Sequence, residues 1–196
     1  MLSVADATRQ ILAAFAPLAR EVVGLDRALG RVLAEPVTAR LSQPPADVSA
    51  MDGYAVRGAD IATLPTQLRI TGSIAAGAAP DSTLKAGEAM RIFTGAFLPV
   101  GADTVVIQEN CERSGDTVTV REGSNSPGQH VRRMGNDFRA GETGIAPGRQ
   151  LSARDVALAA AMNWPFLTVT RRPRIAILST GDELQNPGEA LGPAQI

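Results

Sequence analysis

The sequence predicts an α+β protein of several domains. A β-rich domain with segmented sheets is inserted into a small helical or mixed domain, and the first strand of a truncated α/β domain follows. Three observations support this prediction. Short strand-like runs separated by glycine and proline fill residues 52–122. Helical periodicity flanks these runs at residues 3–15 and 152–162. The predicted strand at 174–178 contains the unbroken apolar run 175–178, which is typical of a strand buried on both faces of a parallel sheet.

The bulk composition excludes several classes of protein. Hydrophobic residues make up 44% and charged residues 20%, as in ordinary globular proteins. The net charge of -1 argues against binding nucleic acid through bulk charge. Cys111 is the only cysteine and His130 the only histidine, which excludes an internal disulfide and a multi-histidine zinc site. Without a secretory pattern or an apolar run of roughly 20 residues, we expect a cytoplasmic protein with no membrane contact.

The N-terminal region has clear local signals. Ser3 is the predicted N-cap of the first helix, and Pro17 is expected to end or kink it. We expect this helix to pack against the rest of the protein. Residues 21–25 predict a strand, and residues 26–29 predict one helical turn closed by Gly30.

The β-rich region is predicted to contain five strands, at 54–57, 68–74, 89–93, 104–108 and 117–121. The runs 104–112 and 117–122 predict a hairpin around the turn residues 114–116. Alternation in the second run places Val118 and Val120 on one buried face. Residues 123–148 read as a long loop, and such loops are usually functional or mobile.

Regular structure resumes at Ser152, the predicted N-cap of the second helix, with Asp155 at position N3. A strand follows at 166–170. The strand at 174–178 needs a crossover and a neighbouring strand, which the remaining residues are too few to supply. We therefore expect an N-terminal fragment of a longer protein, in which 174–178 is disordered or paired with another chain.

The predicted domains are a helical or mixed domain, a β-rich inserted domain and the start of an incomplete α/β domain. They comprise residues 1–45 with 146–170, residues 46–145, and residues 171–196.

Two stretches present polar side chains near predicted strand ends. In the first, Pro44 and Pro45 stiffen a loop that leads to Asp52, and Gly53 predicts a tight turn with positive φ. The alternative is a turn that only starts a strand. In the second, Thr94 follows a strand and can donate to an anion, although a threonine more commonly caps its own turn.

Two further stretches combine charged and hydroxyl side chains. Arg132 and Arg133 precede Asp137; arginine forks suit phosphate, but paired arginines also form solvated faces. Residues 179–184 follow the last apolar strand, where open α/β sheets bind ligands. They offer hydroxyls to an anion and two carboxylates to a divalent cation, or they form a plain strand-to-helix turn. The side chains concerned are Ser179, Thr180, Asp182 and Glu183.

Four motifs resemble those of the molybdopterin molybdenumtransferases, the family that includes MoeA and the gephyrin E-domain, and they occur in the family's order. They are Met-Asp-Gly-Tyr-Ala at 51–55, Arg-Ile-Phe-Thr-Gly-Ala at 91–96, Gly-Asn-Asp at 135–137, and Arg-Pro-Arg-Ile-Ala-Ile-Leu-Ser-Thr-Gly-Asp-Glu-Leu at 172–184. The resemblance spans essentially the whole chain and corresponds to the N-terminal portion of family members. The sequence departs from it at Asn136, where an acidic residue is more usual, at His130, where asparagine is, and at 163–164, which replace a glycine-containing helix stop.

The resemblance implies roles for particular residues. The implied catalytic residues are Asp52, Thr94, Asp137 and Glu183. The implied substrate-binding residues are Arg132, Arg133, Ser179 and Thr180. The implied ligands of Mg²⁺ are Asp52, Asp137, Asp182 and Glu183.

The resemblance also implies a reaction and an assembly. Family members insert molybdate into adenylylated molybdopterin and release AMP, a step of molybdenum cofactor biosynthesis. They are homodimers, so Asp52, Thr94 and Asp137 would meet the partner subunit's Glu183, and contact with other cofactor-biosynthesis proteins is expected. We expect the isolated chain to be inactive. The alternative is a non-catalytic scaffold or dimerisation module, as in gephyrin-like proteins of the same superfamily.

Overall fold

A computed structural model describes residues 2–78, 83–123 and 126–196. Within these ranges the chain forms two helices and twelve mostly short strands, so the sheet-rich character predicted from the sequence is confirmed. The helices are α1 Val4–Ala13 and α2 Ala153–Ala161. The strands are β1 Arg20–Gly24, β2 Val37–Thr38, β3 Val48–Ser49, β4 Gly53–Val56, β5 Thr66–Ile74, β6 Glu88–Ile92, β7 Thr104–Ile107, β8 Cys111–Ser114, β9 Thr117–Val120, β10 Val131–Arg132, β11 Thr143–Ile145 and β12 Phe166–Thr170.

The largest sheet has six strands in the order β7-β4-β6-β5-β9-β8. Its strand pairs are antiparallel except β5 and β6, which are parallel. All four residues of β4 are buried, because apolar clusters cover both faces of the sheet at that strand. Val118 and Val120 are fully buried on one face of β9, which confirms the predicted alternation.

The predicted hairpin is only partly confirmed. β8 and β9 form a hairpin through a two-residue turn at Gly115, whose φ is +60°. The 3-10 turn Gln108–Asn110 separates β8 from β7, and β7 lies at the opposite edge of the sheet beside β4. The strand predicted at 104–108 is therefore confirmed as β7, but the run 104–112 does not form one arm of the hairpin. The polar residues of this turn end the pairing of β7 with β4 before the pairing of β8 with β9 begins. An alternating sequence pattern does not reveal such a break.

Residues from both ends of the chain pack around a separate core. β1 pairs antiparallel with β12, and β2 pairs antiparallel with β11. The core beneath these pairs includes Leu33, Val37, Ile145, Leu151 and Met162, all fully or almost fully buried. The segments 23–39 and 138–169 thus share one apolar interior.

Helix α2 shows how a departure from the family pattern is accommodated. Its start has the predicted capping box: the Ser152 hydroxyl accepts from the Asp155 N–H, and the Asp155 carboxylate accepts from the Ser152 N–H. At its end Asn163 has a φ of +68°, and its N–H donates to the Ala160 carbonyl at 2.9 Å. The Trp164 N–H donates to the Ala159 carbonyl at 3.0 Å, which completes a Schellman motif. Asparagine adopts the left-handed conformation more readily than most residues, so Asn163 takes the place of glycine.

Helix α1 begins at Ser3 as predicted, but the expected packing is wrong. No residue of α1 is buried, and Ile11 is 60% exposed. The apolar stripe faces no surface among the described residues. Neither described helix is long and apolar enough to cross a membrane.

The segment 171–196 forms no strand within this chain, as expected for a strand at 174–178 that lacks a neighbouring strand. Ile175, Ile177 and Leu178 are 79%, 89% and 86% exposed. A β-strand requires a hydrogen-bonded neighbour, and no described segment lies beside it. The side chains are not buried by this chain, which agrees with the expectation that it cannot cover them alone.

Candidate active site

Asp52 and Thr94 are brought together by the central sheet. Asp52 directly precedes β4 and Thr94 closely follows β6, and the antiparallel register pairs Gly53 with Ile92. One Asp52 carboxylate oxygen, Oδ1, accepts from both the backbone N–H and the hydroxyl of Thr94, each at 2.8 Å. Two of the residues singled out in the sequence therefore form one hydrogen-bonded pair.

Gly53 has a different role from the one predicted. Its φ is not positive, because it is the first residue of β4 and lies between two other strands. A Cβ at this position would lie 1.9 Å from the Val106 carbonyl oxygen of β7. Glycine is required here by the close approach of the β7 backbone, and the expected tight turn is wrong.

The loop before Asp52 is fixed to the loop that carries Thr94. Ser49 is buried; its N–H donates to the Ala96 carbonyl, and its carbonyl accepts from the Gly95 N–H. The Ser49 hydroxyl donates to the Met51 carbonyl at 2.5 Å. These contacts hold residues 49–52 against residues 94–96, so the Asp52–Thr94 pair rests on rigid backbone.

Asp52 is the ionised partner of this pair. The Thr94 N–H, then the Thr94 hydroxyl, and more weakly the Arg91 charge lower the pKa of the Asp52 carboxyl below its ordinary value of 3.8. The other oxygen, Oδ2, has no hydrogen-bond partner among the described residues. One oxygen is therefore held in place while the other is available to a ligand.

The arginine-rich loop lies beside the Asp52 loop, because β10 pairs with β3. Arg132 donates to both oxygens of Asp137, at 2.9 and 3.1 Å. Arg133 donates to Asp47 at 2.6 Å. Both arginines predicted to bind substrate therefore already have carboxylate partners, which would have to be displaced before either could use these contacts for a phosphate.

Asp47 is a member of this loop cluster that the sequence reasoning missed. Partial burial would raise its pKa, but the Met134 N–H and Arg133 outweigh that effect and lower it. The sequence signal was its position between the two prolines and Asp52.

The departure at His130 has a backbone explanation. His130 has a φ of +54°, a left-handed conformation that asparagine adopts with less strain than most residues. Its carbonyl accepts from the Ala50 N–H at 2.9 Å, so this strained residue helps to hold the Asp52 loop.

The C-terminal candidates are not joined to this cluster. Ser179, Thr180, Asp182 and Glu183 carry no side-chain hydrogen bond or ion pair to other described residues. Glu183 contributes only its carbonyl, which accepts from the Ile196 N–H at 2.7 Å. Across the described ranges, no group of three or more histidine, cysteine, aspartate or glutamate residues could hold a metal ion. The four predicted Mg²⁺ ligands are therefore not assembled within one chain.

Arg91 is a second residue that the sequence reasoning missed. It donates to the Gly53 carbonyl at 3.0 Å and to the Gln108 side chain at 2.5 Å, and its guanidinium lies 4.6 Å from the centre of the Phe93 ring. The Gln108 N–H in turn donates to the Asp52 carbonyl at 3.1 Å. Arg91 thus contacts Gly53, which follows Asp52, and Phe93, which precedes Thr94. The alternation of β6, which places Arg91 and Phe93 on one face, was the available signal.

Residues 2–163 match the family described as the MoeA N-terminal region, domains I and II. The chain belongs to this family. The molybdopterin molybdenumtransferase of a Nostoc species is 44% identical over 180 residues, which are 90% of this chain and 41% of that protein. Molybdopterin molybdenumtransferase 2 of Mycobacterium tuberculosis is 42% identical over 89% of this chain and 44% of its own length.

Solved structures agree with this assignment. The molybdopterin biosynthesis MoeA protein of Pyrococcus horikosii superposes with a TM-score of 0.87 at 33% identity, over 100% of this chain and 51% of that chain. The chain therefore spans about half the length of the relatives it matches, or less. The resemblance drawn from the four motifs, to the N-terminal portion of MoeA proteins, is confirmed.

Proposed function

We propose that this chain is the N-terminal part of a molybdopterin molybdenumtransferase, a cytoplasmic enzyme of molybdenum cofactor biosynthesis. The whole protein would insert molybdate into adenylylated molybdopterin and release AMP. The Asp52–Thr94 pair carries the proposal, since motifs characteristic of the family converge on it in space. The names of relatives 42–44% identical to the chain support the same reaction.

The pair suits a reaction at a phosphoanhydride. An ionised carboxylate with one free oxygen can orient a water molecule or accept its proton, and the Thr94 contacts fix its direction. Asp137 would stand nearby, with its charge balanced by Arg132. Mg²⁺ belongs to the proposal only with ligands from outside a single chain, because the described carboxylates do not gather around one point. We therefore assign no step to the ion.

A shared site explains why the predicted residues fall into two groups. Asp52, Thr94 and Asp137 lie in the β-rich region, whereas no described hydrogen bond or ion pair connects Glu183 to them. In a homodimer, the first three residues of one subunit would face the partner subunit's Glu183. Each dimer would then hold two sites, and each site would draw on both chains.

Mixed dimers of the whole protein test this arrangement. Asp52→Asn and Glu183→Gln should each abolish AMP release, but a heterodimer of the two variants should recover part of the activity. In that heterodimer one of the two sites receives an intact Asp52 from one chain and an intact Glu183 from the other. Lack of recovery would contradict the shared site.

The matched control pairs Asp52→Asn with Asp137→Asn. Both residues are assigned to the same half of the site, so every site in this heterodimer contains one damaged residue and activity should stay absent. Recovery in both mixtures would refute the assignment of Asp137 to the same half as Asp52.

A non-catalytic scaffold remains the second candidate, and one observation favours it. The apolar stripe of α1 is exposed, with Val4 84% and Ile11 60% accessible, as expected for a surface that assembles with another polypeptide. The two candidates differ in turnover, since the scaffold predicts that the whole protein releases no AMP.

A further inference from the structure

A cavity of about 520 Å³ lies on the six-stranded sheet close to the Asp52–Thr94 pair. Its lining includes Thr71, Ser73, Arg91, Phe93, Arg113 and Asp116. Directly paired residues on neighbouring strands project from the same face of a sheet. Arg91 is paired with Tyr54 and Arg113 with Val118, and both partners belong to one core cluster. The two arginines therefore stand at the margin of that core, on one face.

The guanidinium groups in this cavity are not neutralised. Neither Arg91 nor Arg113 takes part in an ion pair within the part of the chain that the structure describes. Arg113 uses its Nε–H for the Gly115 carbonyl, and its terminal N–H groups have no hydrogen-bond partner among the described residues. Arg132 and Arg133, by contrast, are both paired with carboxylates. With Asp116 as the one acidic residue among those lining it, the cavity carries a net positive charge.

Both arginines keep N–H groups that no described residue uses. Arg91 donates to the Gly53 carbonyl and to the Gln108 side chain, which hold its guanidinium in place. Three of its five N–H groups remain unused. The Ser73 hydroxyl adds a neutral donor at the same cavity, whereas the Thr71 hydroxyl already donates to the Ala89 carbonyl at 3.4 Å. Guanidinium forks and a hydroxyl that line one cavity are groups that recognise a tetrahedral oxyanion.

We infer that this cavity binds a tetrahedral oxyanion, either a phosphate group of the substrate or free molybdate. The inference rests on the proposed function, in which both anions must reach the Asp52–Thr94 pair. Phe93 lines the cavity and directly precedes Thr94. Arg91 donates to the carbonyl of Gly53, the residue that directly follows Asp52. An anion held by Arg91 and Arg113 would therefore lie next to the proposed reacting centre.

Titration of the 196-residue chain with inorganic phosphate, AMP and molybdate, followed by amide NMR, tests the site. We expect saturable shifts at Thr71, Ser73 and Phe93 with a Kd in the roughly millimolar range. Arg113→Met removes one charged donor group and should weaken binding about tenfold. Arg113 is exposed, so this variant should keep its fold, which the remaining amide spectrum verifies.

Arg69→Met is the control, because Arg69 lies on the neighbouring strand β5 but is paired with Glu88. It should leave the affinity unchanged. Tighter binding of AMP or phosphate identifies a phosphate site, and tighter binding of molybdate identifies a molybdate site. Shifts that do not saturate, or equal losses in the Arg69 and Arg113 variants, would overturn the inference.

This experiment is independent of turnover. Anion binding without recovery in the mixed dimers would remove the shared-site function but keep the cavity. Recovery in the mixed dimers without anion binding would support the shared-site function and refute the anion-binding cavity.

Discussion

At the scale of single residues, the charge of Asp52 depends on Thr94. The Thr94 N–H and hydroxyl lower the pKa of the carboxyl in the folded state, so ionised Asp52 stabilises the fold above its unfolded pKa. That contribution is lost as the pH falls through the lower folded value. This stabilisation is therefore lost at pH values at and below 3.8, the ordinary pKa of an aspartate.

Thr94→Ala should raise the pKa of Asp52 part of the way toward 3.8, because the hydroxyl is lost while the backbone N–H remains. Thr94→Ser keeps the hydroxyl and should leave the pKa low. The carboxyl carbon resonance of Asp52, followed by NMR against pH, measures both variants. An unchanged pKa in Thr94→Ala would show that the hydroxyl contact does not form in solution.

Gly53 gives a second prediction at this scale. Gly53→Ala places a Cβ 1.9 Å from the Val106 carbonyl oxygen, so β4 or β7 must move. Such crowding typically costs about 1–3 kcal/mol of unfolding free energy. Gly72→Ala is the matched control, because a Cβ at Gly72 meets nothing within 4 Å. Urea denaturation should show a large loss for the first variant and little change for the second. Equal losses would contradict the packing argument.

Local sequence predicted where these residues lie but not why each is needed. The motif around Asp52 indicated a polar side chain at a strand start, and the structure places it there. The reason for Gly53 depends on β7, about fifty residues further along the chain, which a local turn pattern cannot reveal. Arg91 was missed for the same reason, because its contacts become visible only when β4 and β6 pair.

At the scale of elements, helix α2 ends at a position that tolerates few residues. Asn163 has a φ of +68°, and a residue with a plain Cβ pays roughly 1–2 kcal/mol for the left-handed conformation. Asn163→Ala should therefore lower the free energy of unfolding by about 1 kcal/mol. Asn163→Gly should preserve or slightly raise it, since glycine adopts this conformation freely. Thermal or urea denaturation of the two variants provides the comparison, and a more stable alanine variant would contradict it.

Elements that depend on residues close together in sequence were predicted better than elements that depend on distant strands. The caps of both helices and the alternation in β9 are local, and each was predicted correctly. The split between β7 and β8 was missed, because sheet order depends on pairing between distant strands. The strand expected at 174–178 had a good local pattern but lacks a partner strand in this chain.

At the scale of the whole molecule, the residues predicted for the site fall into two groups that no described hydrogen bond or ion pair connects. The resemblance predicted four catalytic residues, and the structure joins Asp52 to Thr94 and places Asp137 in the adjoining loop. It does not bring Glu183 to them through any described hydrogen bond or ion pair. The resemblance implied this separation through a site shared between subunits, but no residue pattern within the chain itself indicates it.

Because the chain spans about half the length of its relatives or less, we predict that the purified 196-residue chain releases no AMP from adenylylated molybdopterin. Its described carboxylates form no cluster of three, and its Asp52–Thr94 pair faces no Glu183. Chromatographic measurement of AMP, with the whole protein as positive control, checks this expectation. The chain should nevertheless show the low Asp52 pKa, because the Thr94 contacts lie entirely within it. Turnover by the isolated chain would show that residues 1–196 suffice for the reaction, and the prediction of an inactive chain would then be wrong.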